Sequence, residues 1–351
     1  MPASSIDTFL ACSIMILLVL SAMAGLSKTL NPYINDLSQK NDAEKYQQFT
    51  KYLLLNPGNP QNWGAMSDVI PSSFGLALAG VLNPYELDID KVSRLNNENV
   101  HSMTYPQLLE SAGIHDAALR IEIKTLFDLS INLTSSLAGQ DESTYNFDLS
   151  TKKSGLPISA TLKCYVVAKN HVQSVNSSTS SDGNGSIVVT IPNSANGTAL
   201  LIAFAEAQPK MTAFNVYSFS HNSATPEPNG TFMGLSPLNY VLNVSFLYPQ
   251  EEILMAKVFT YSYSLNLTRI TADSQTAEYG IPHLLDSSPM ILVMTGFNGS
   301  SYFADWVSYP QVPLEMGADL DGSNHGSRVV SLTYIVSINF AFYEFIIRWA
   351  G

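Results

Sequence analysis

Apolar and polar positions follow several rhythms along this chain. Phe9–Ser27 (FLACSIMILLVLSAMAGLS) carries no charge and is bracketed by Asp7 and Lys28. Such a run has the roughly 17–25 residues that a helix needs to cross a bilayer core. Tyr46, Phe49 and Leu53 then share a face at i, i+3, i+7 spacing among polar neighbours. That pattern predicts an amphipathic stalk helix continuing over residues 28–55, with Pro32 as a kink. Asn56-Pro57-Gly58-Asn59-Pro60 stops it. From Leu119 the period changes to two. Leu119, Ile121 and Ile123 alternate with Arg120, Glu122 and Lys124, and Phe127, Leu129, Ile131 and Leu133 alternate with polar residues. Period two predicts strands with one buried face.

Ser135–Ser143 reads as a loop, and a second β-rich unit follows it over 143–222. Ile158, Ala160, Leu162, Cys164 and Val166 alternate with other residues; Asp182-Gly183-Asn184-Gly185 is a turn; Ile187, Val189 and Ile191 follow. Short strands at regular turn spacing predict an immunoglobulin-like sandwich. Further strands are expected at Tyr240–Leu247, Lys257–Leu267, Met290–Thr295 and Val329–Ile347. In the C-terminal run, period two and the charges Glu344 and Arg348 favour strands over a second membrane helix. The expected fold class is therefore α+β, mostly β. An N-terminal transmembrane and stalk helix (1–55) leads to a β body (56–142 and 223–351) with the sandwich (143–222) inserted. The strands of 119–133 and of 231–350 are expected to share one sheet.

Composition sharpens the setting. The net charge is −12 and charged residues make up 13% of the chain, which disfavours nucleic acid and anionic lipid surfaces as partners. The two cysteines, Cys12 and Cys164, sit in different predicted elements, so no disulfide is expected. Asn132, Asn176, Asn184, Asn196, Asn229, Asn243, Asn266 and Asn298 occupy N-x-S/T patterns. They are candidate glycosylation sites on an exported body.

Several readings fit the leading run: a membrane anchor, a cleaved secretory signal ending at Ala22-Met23-Ala24, or a filament helix. The residues MPASSID ahead of it hold no Lys or Arg, which speaks against the signal. Ser5-Ile6-Asp7 before an apolar run resembles the start of archaeal pilin-like surface proteins. Spaced motifs carry the resemblance on to about residue 130: PGNPQNWG (57–64), Gly75-Leu76-Ala77, LDIDKVSRL (87–95), and Tyr105 with Leu108-Leu109 and Gly113-Ile114. The resemblance implies that Asp7, fifth residue of a chain beginning at Ala3, neutralises a neighbour's N-terminal amine in a filament core. Met1-Pro2 stand where that family carries a basic residue and glycine. The order GLPISA (155–160) and DGNGSIVVTIP (182–192) resembles the sandwich modules of bacterial and archaeal surface proteins.

The histidines are scattered, and HExxH, GxSxG, GxxxxGK and GxGxxG motifs are missing from the sequence. Asp319–Asn324 has its glycine too early for a calcium loop. No catalytic residue, cofactor or metal is expected, and no enzyme. The expected function is a membrane-anchored extracellular structural or adhesive protein of the pilin-like class. Its expected partners are the bilayer, through 9–27, and other pilin-like subunits or cell-envelope proteins. The alternative is a secreted or anchored sandwich module that binds carbohydrate or an envelope protein.

Overall fold

The computed structural model describes residues 15–21, 23, 28, 42–320 and 329–351. The chain divides into two compact units, Met1–Lys51 and Tyr52–Gly351. In the first unit, the described residues 15–21, 23, 28 and 42–51 are helical. Asp7 and most of the 9–27 run lie outside the described residues.

The α+β class with a transmembrane and stalk helix is corrected. The chain is mostly β, with 52% strand and 13% helix. Among the described residues no helix is long and apolar enough to cross a membrane. The helix reaching residue 55 ends where the proline-rich turn removes backbone donors. In the second unit the helices Ile89–Ser93 and Tyr105–Ala112 are short, the latter closed by a Thr104–Gln107 capping box and left-handed Gly113. Beyond them, alternating β-branched and aromatic residues leave strands as the way to bury an apolar face.

The first sandwich spans Asp128–His221 and so takes in a strand ahead of the expected boundary. One sheet pairs Asp128–Ala138 with Glu142–Lys153, and that strand with Asn184–Pro192 and the short Leu156–Pro157. The other has the order Met211–His221, Gly197–Gln208, Thr161–Ala168, His171–Ser178. Their facing rows, among them Ile131, Phe147 and Val189 against Cys164, Leu201 and Ala203, make one core. This is an immunoglobulin-like arrangement, with two antiparallel sheets packed face to face.

The expected single sheet joining 119–133 to the later strands forms only in part, for Ala118–Thr125 and the last strands of the chain. Instead, Met233–Tyr309 builds a second sandwich. One sheet has the order Met233–Leu238, Val241–Phe246, Thr276–Gly280, Thr268–Ala272; the other Ser264–Asn266, Glu251–Phe259, Met290–Asn298, Ser301–Tyr309. The reason is local: antiparallel hairpins such as Met290–Asn298 with Ser301–Tyr309 pair with their sequence neighbours. Only Leu314–Gly317, Val329–Ile338 and Ala341–Ala350 join Ala118–Thr125 and Glu86–Leu87 in a third assembly. The chain thus leaves this last sheet after Thr125, builds both sandwiches, and returns at Leu314.

Gly197–Gln208 and Met290–Asn298 are among the strands buried on both faces along much of their length. In Gly197–Gln208, Ala199, Leu201, Ala203 and Ala205 enter the first sandwich core. Leu200, Ile202 and Phe204 point the other way, yet they too are buried. Their cover comes from the second sandwich. Tyr165 lies 6.2 Å from Phe204 and 5.0 Å from Phe259, ring centre to ring centre. Thr212 Oγ1 donates to the Ser287 carbonyl at 2.8 Å. Met290–Met294 is likewise fully buried. The inner sheets of the two sandwiches therefore stack on each other, giving four β layers.

The segment between Asn56 and Ile114 closes around the helix Ile89–Ser93. Asp88 caps it by accepting from the Asp90 and Lys91 amides. The Lys91 ammonium is fully buried and donates to the carbonyls of Pro57 and Ala77, at 2.9 and 2.7 Å. Arg94 Nη1 donates to Trp63 and Met66 carbonyls, each at 2.7 Å, and its guanidinium lies over the Trp63 ring. Trp63 Nε1 donates to the Gly75 carbonyl. Gly75 has no room for a Cβ, which would sit 2.2 Å from the Asn56 carbonyl oxygen. Truncating Lys91 would orphan the buried Ala77 carbonyl and the half-buried Pro57 carbonyl. Lys91→Ala is expected to lower the unfolding free energy by about 3 kcal/mol in urea titration. Exposed Lys153→Ala is expected to change it by less than about 0.5 kcal/mol.

Candidate functional site

Strand alternation sorts the sequon asparagines. Asn132, Asn176, Asn184, Asn196 and Asn266 are exposed, and Asn229 is exposed but engaged. Its Oδ1 accepts from the Trp306 amide at 2.7 Å and its Nδ2 donates to the Trp306 carbonyl at 2.9 Å. Asn243 and Asn298 are half-buried. Asn243 donates to the Ser236 carbonyl, and Asn298 accepts from the Gln250 side chain.

Two of the open surface concavities are lined largely by polar residues. One, of about 500 Å³, runs over the outer face of the first sandwich and is lined by Asn132, Asp148, Leu149, Ser150, Asn184, Gly185 and Ser186. The other, of about 440 Å³, lies where the sandwiches meet. There Lys169 reaches from the tip of a hairpin, with its ammonium 5.1 Å from the Phe297 ring centre. Tyr302 stands edge-on to Phe297 at 5.7 Å. Burial holds the Tyr302 phenol protonated, raising it to about 12. Asn196, Glu227, Ser300 and Ser301 add hydrogen-bonding groups to the rim. A mostly polar cleft with the Phe232, Phe297 and Tyr302 rings in its wall can hold a small polar ligand. Sequence patterning did not single out Lys169, Phe297 or Tyr302, because they come from separate strands and turns and share no spacing.

The perturbed carboxyls lie elsewhere. Asp305 is buried, which raises its carboxyl to about 6, while its Oδ1 accepts from the Gly230 amide at 2.9 Å. Burial likewise raises Glu251 to about 7, with the nearby Asp305 adding to the shift. Asp90, buried beside Tyr309, is raised for the same reason. These groups fasten turns: Asp305 holds Gly230, and Asp90 receives the Asn239 amide at 2.7 Å and the Tyr309 hydroxyl at 2.6 Å. Among the described residues, no cluster of three or more His, Cys, Asp or Glu side chains could hold a metal ion. Cys164 is buried in the first sandwich, and burial pushes its thiol up to about 12, which leaves it protonated and unreactive at neutral pH.

No family model and no curated protein matches the chain. Among solved structures, an I-band fragment I67-I69 from titin is similar at 10% identity over 62% of this chain and 87% of its own length, with a TM-score of 0.16. A score that low carries no inference about this chain.

The raised carboxyls set a pH dependence. A carboxyl with a higher pKa in the folded state binds its proton more tightly there, so its stabilising contribution is complete below the unfolded value and fades as pH rises through the folded one. Asp305 and Glu251 place that loss at about 6 and about 7. The melting temperature is expected to rise on acidification from about pH 8 to pH 5. Asp305→Asn together with Glu251→Gln should flatten that slope in a thermal scan series.

Proposed function

We propose that this chain is an extracellular structural and adhesive protein of the cell surface, acting through display and assembly rather than catalysis. In this reading the uncharged run 9–27 attaches it to the membrane or to neighbouring pilin-like subunits, with Asp7 as the charge partner of a neighbour's amine. The two stacked sandwiches face outward.

The observation that supports the reading best is the stacking itself. Leu200, Ile202 and Phe204 on one sandwich and Phe259 and Ile291 on the other are all buried, so the two modules behave as one stiff block. Both chain connections to that block run through adjacent strands, since Ala118–Thr125 pairs with Leu314–Gly317 in register from Ile123 opposite Leu314 to Arg120 opposite Gly317. Force applied to the block is carried across paired strands, which suits a load-bearing surface subunit. The cleft at Lys169, Phe297 and Tyr302 favours a second reading, an anchored module that binds carbohydrate.

Mass spectrometry of the mature N-terminus, combined with fractionation of the producing cells, tests the proposal. A chain starting near Ala3 and recovered with membranes or sheared filaments is expected. A free monomer starting at Gly25 contradicts it.

A further inference from the structure

The two concavities described above contain sequon asparagines in their own walls: Asn132 and Asn184 in one, Asn196 in the other. We propose that oligosaccharide carried by the chain itself fills these grooves, N-linked at Asn132 and Asn184 on the first sandwich and at Asn196 between the sandwiches. The inference rests on the extracellular placement argued above, and it names the chemistry of the surface that placement exposes.

The donor class is a lipid diphosphate-linked oligosaccharide. Transfer joins asparagine Nδ2 to sugar C1 and breaks the bond from C1 to the diphosphate oxygen, which leaves with the electron pair. Nδ2 gives up one proton and keeps one N–H. Asn184 makes a single side-chain donation, to exposed Asp182 Oδ2 at 3.2 Å, with no pairing to a backbone segment at stake. Asn229 differs. Its two-point pairing with the Trp306 backbone uses the N–H on the same side as its own Oδ1. In a planar trans amide the sugar takes that position, so a glycan at Asn229 would break the pairing.

Register places the first two sites. Asn132 lies opposite Asp148 and Asn184 opposite Ser150, on strands flanking Glu142–Lys153. Ile131 and Leu149 point into the core, so the two asparagines share the outward face. Asp148, Ser150 and Ser186 line the groove and offer partners for sugar hydroxyls. Exposed Val188, opposite Asn146 in the same register, gives that face an apolar spot.

Asn196 is exposed in the turn before Gly197–Gln208. The next residue, Gly197, presses on the second sandwich so closely that a Cβ there would stand 2.9 Å from the Tyr302 ring. A sugar on Asn196 therefore emerges at the cleft mouth, against Phe297 and Lys169. It would bridge the two sandwiches.

The test uses the full chain secreted from a host that transfers an N-acetylglucosamine-linked oligosaccharide. Glycopeptide mass spectrometry reads occupancy, and a peptide amidase reads the rate of glycan release from native and from denatured chain. Asn176 and Asn266, exposed outside both grooves, serve as internal references. Occupancy is expected at Asn132, Asn184 and Asn196, with Asn229 unmodified. Release from the three groove sites should be at least tenfold slower than from the references in native chain and equal after denaturation. Three unmodified groove asparagines, or release as fast as at the references, overturns the inference. Because secretion is imposed by the host, either failure leaves the extracellular placement standing, which is tested separately on the native N-terminus.

Discussion

Burial of one strand on both of its faces is the constraint from which the rest of this architecture follows. Gly197–Gln208 gives its alanine and Leu201 row to the first sandwich core and its Leu200, Ile202 and Phe204 row to the neighbouring sandwich. Each large side chain taken from water in this way contributes roughly 1.5–3 kcal/mol. Separating the modules would expose this row along with Tyr165 and Phe259. Small residues on the inner row and large ones on the outer row let the sheets approach without overfilling either core. Met290–Asn298 supplies the matching doubly buried strand from the other side.

The polar helix Ile89–Ser93 fastens the segment before the sandwiches to the second of them. Asp90 receives the Tyr309 hydroxyl and the Asn239 amide. Asn99 donates to the Gln311 side chain and the Pro237 carbonyl, and the Val100 amide donates to Ser236 Oγ. Burial pushes Lys91 and Arg94 downward and Asp90 upward. Each is tolerated because backbone groups satisfy it. A charged helix in this position specifies one arrangement of the loops around it, since a shifted loop would leave a buried charge without its partners.

Much of this was legible in the sequence. The alternation of Leu119, Ile121 and Ile123 marks a strand whose inward residues are those same three, and the C-terminal run forms the strands its period indicates. The PGNPQNWG, Gly75–Ala77 and LDIDKVSRL motifs meet in one knot: Trp63 reaches Gly75, Arg94 reaches Trp63, and Lys91 reaches Pro57 and Ala77. The second sandwich was harder to see. Pro237 lies inside one of its strands and Pro282 and Pro289 between two others, and alternation does not reveal which strand pairs with which. The continuous runs Ala199–Ala205 and Met290–Met294 did carry the signal of two-sided burial. Read as ordinary strands, they say nothing of stacking. The transmembrane helix rested on hydropathy and length, and the stalk on the spacing of Tyr46, Phe49 and Leu53. Hydropathy and length measure compatibility with lipid and leave the packing of the body undetermined. The concavities were illegible because their walls come from strands and turns whose pairing the alternation does not reveal.

The proposed surface role and the proposed groove sugars both place the chemistry of this chain on the faces of the stacked sandwiches. That picture depends on the two sandwiches acting as one cooperative body. Native-state hydrogen exchange along a denaturant series measures this directly, by following amides of Ala199–Ala205 and Met290–Met294. The account predicts that both sets lose protection together, with the same free energy and denaturant dependence. Loss of protection at Met290–Met294 while Ala199–Ala205 stays protected, or the reverse, would contradict it.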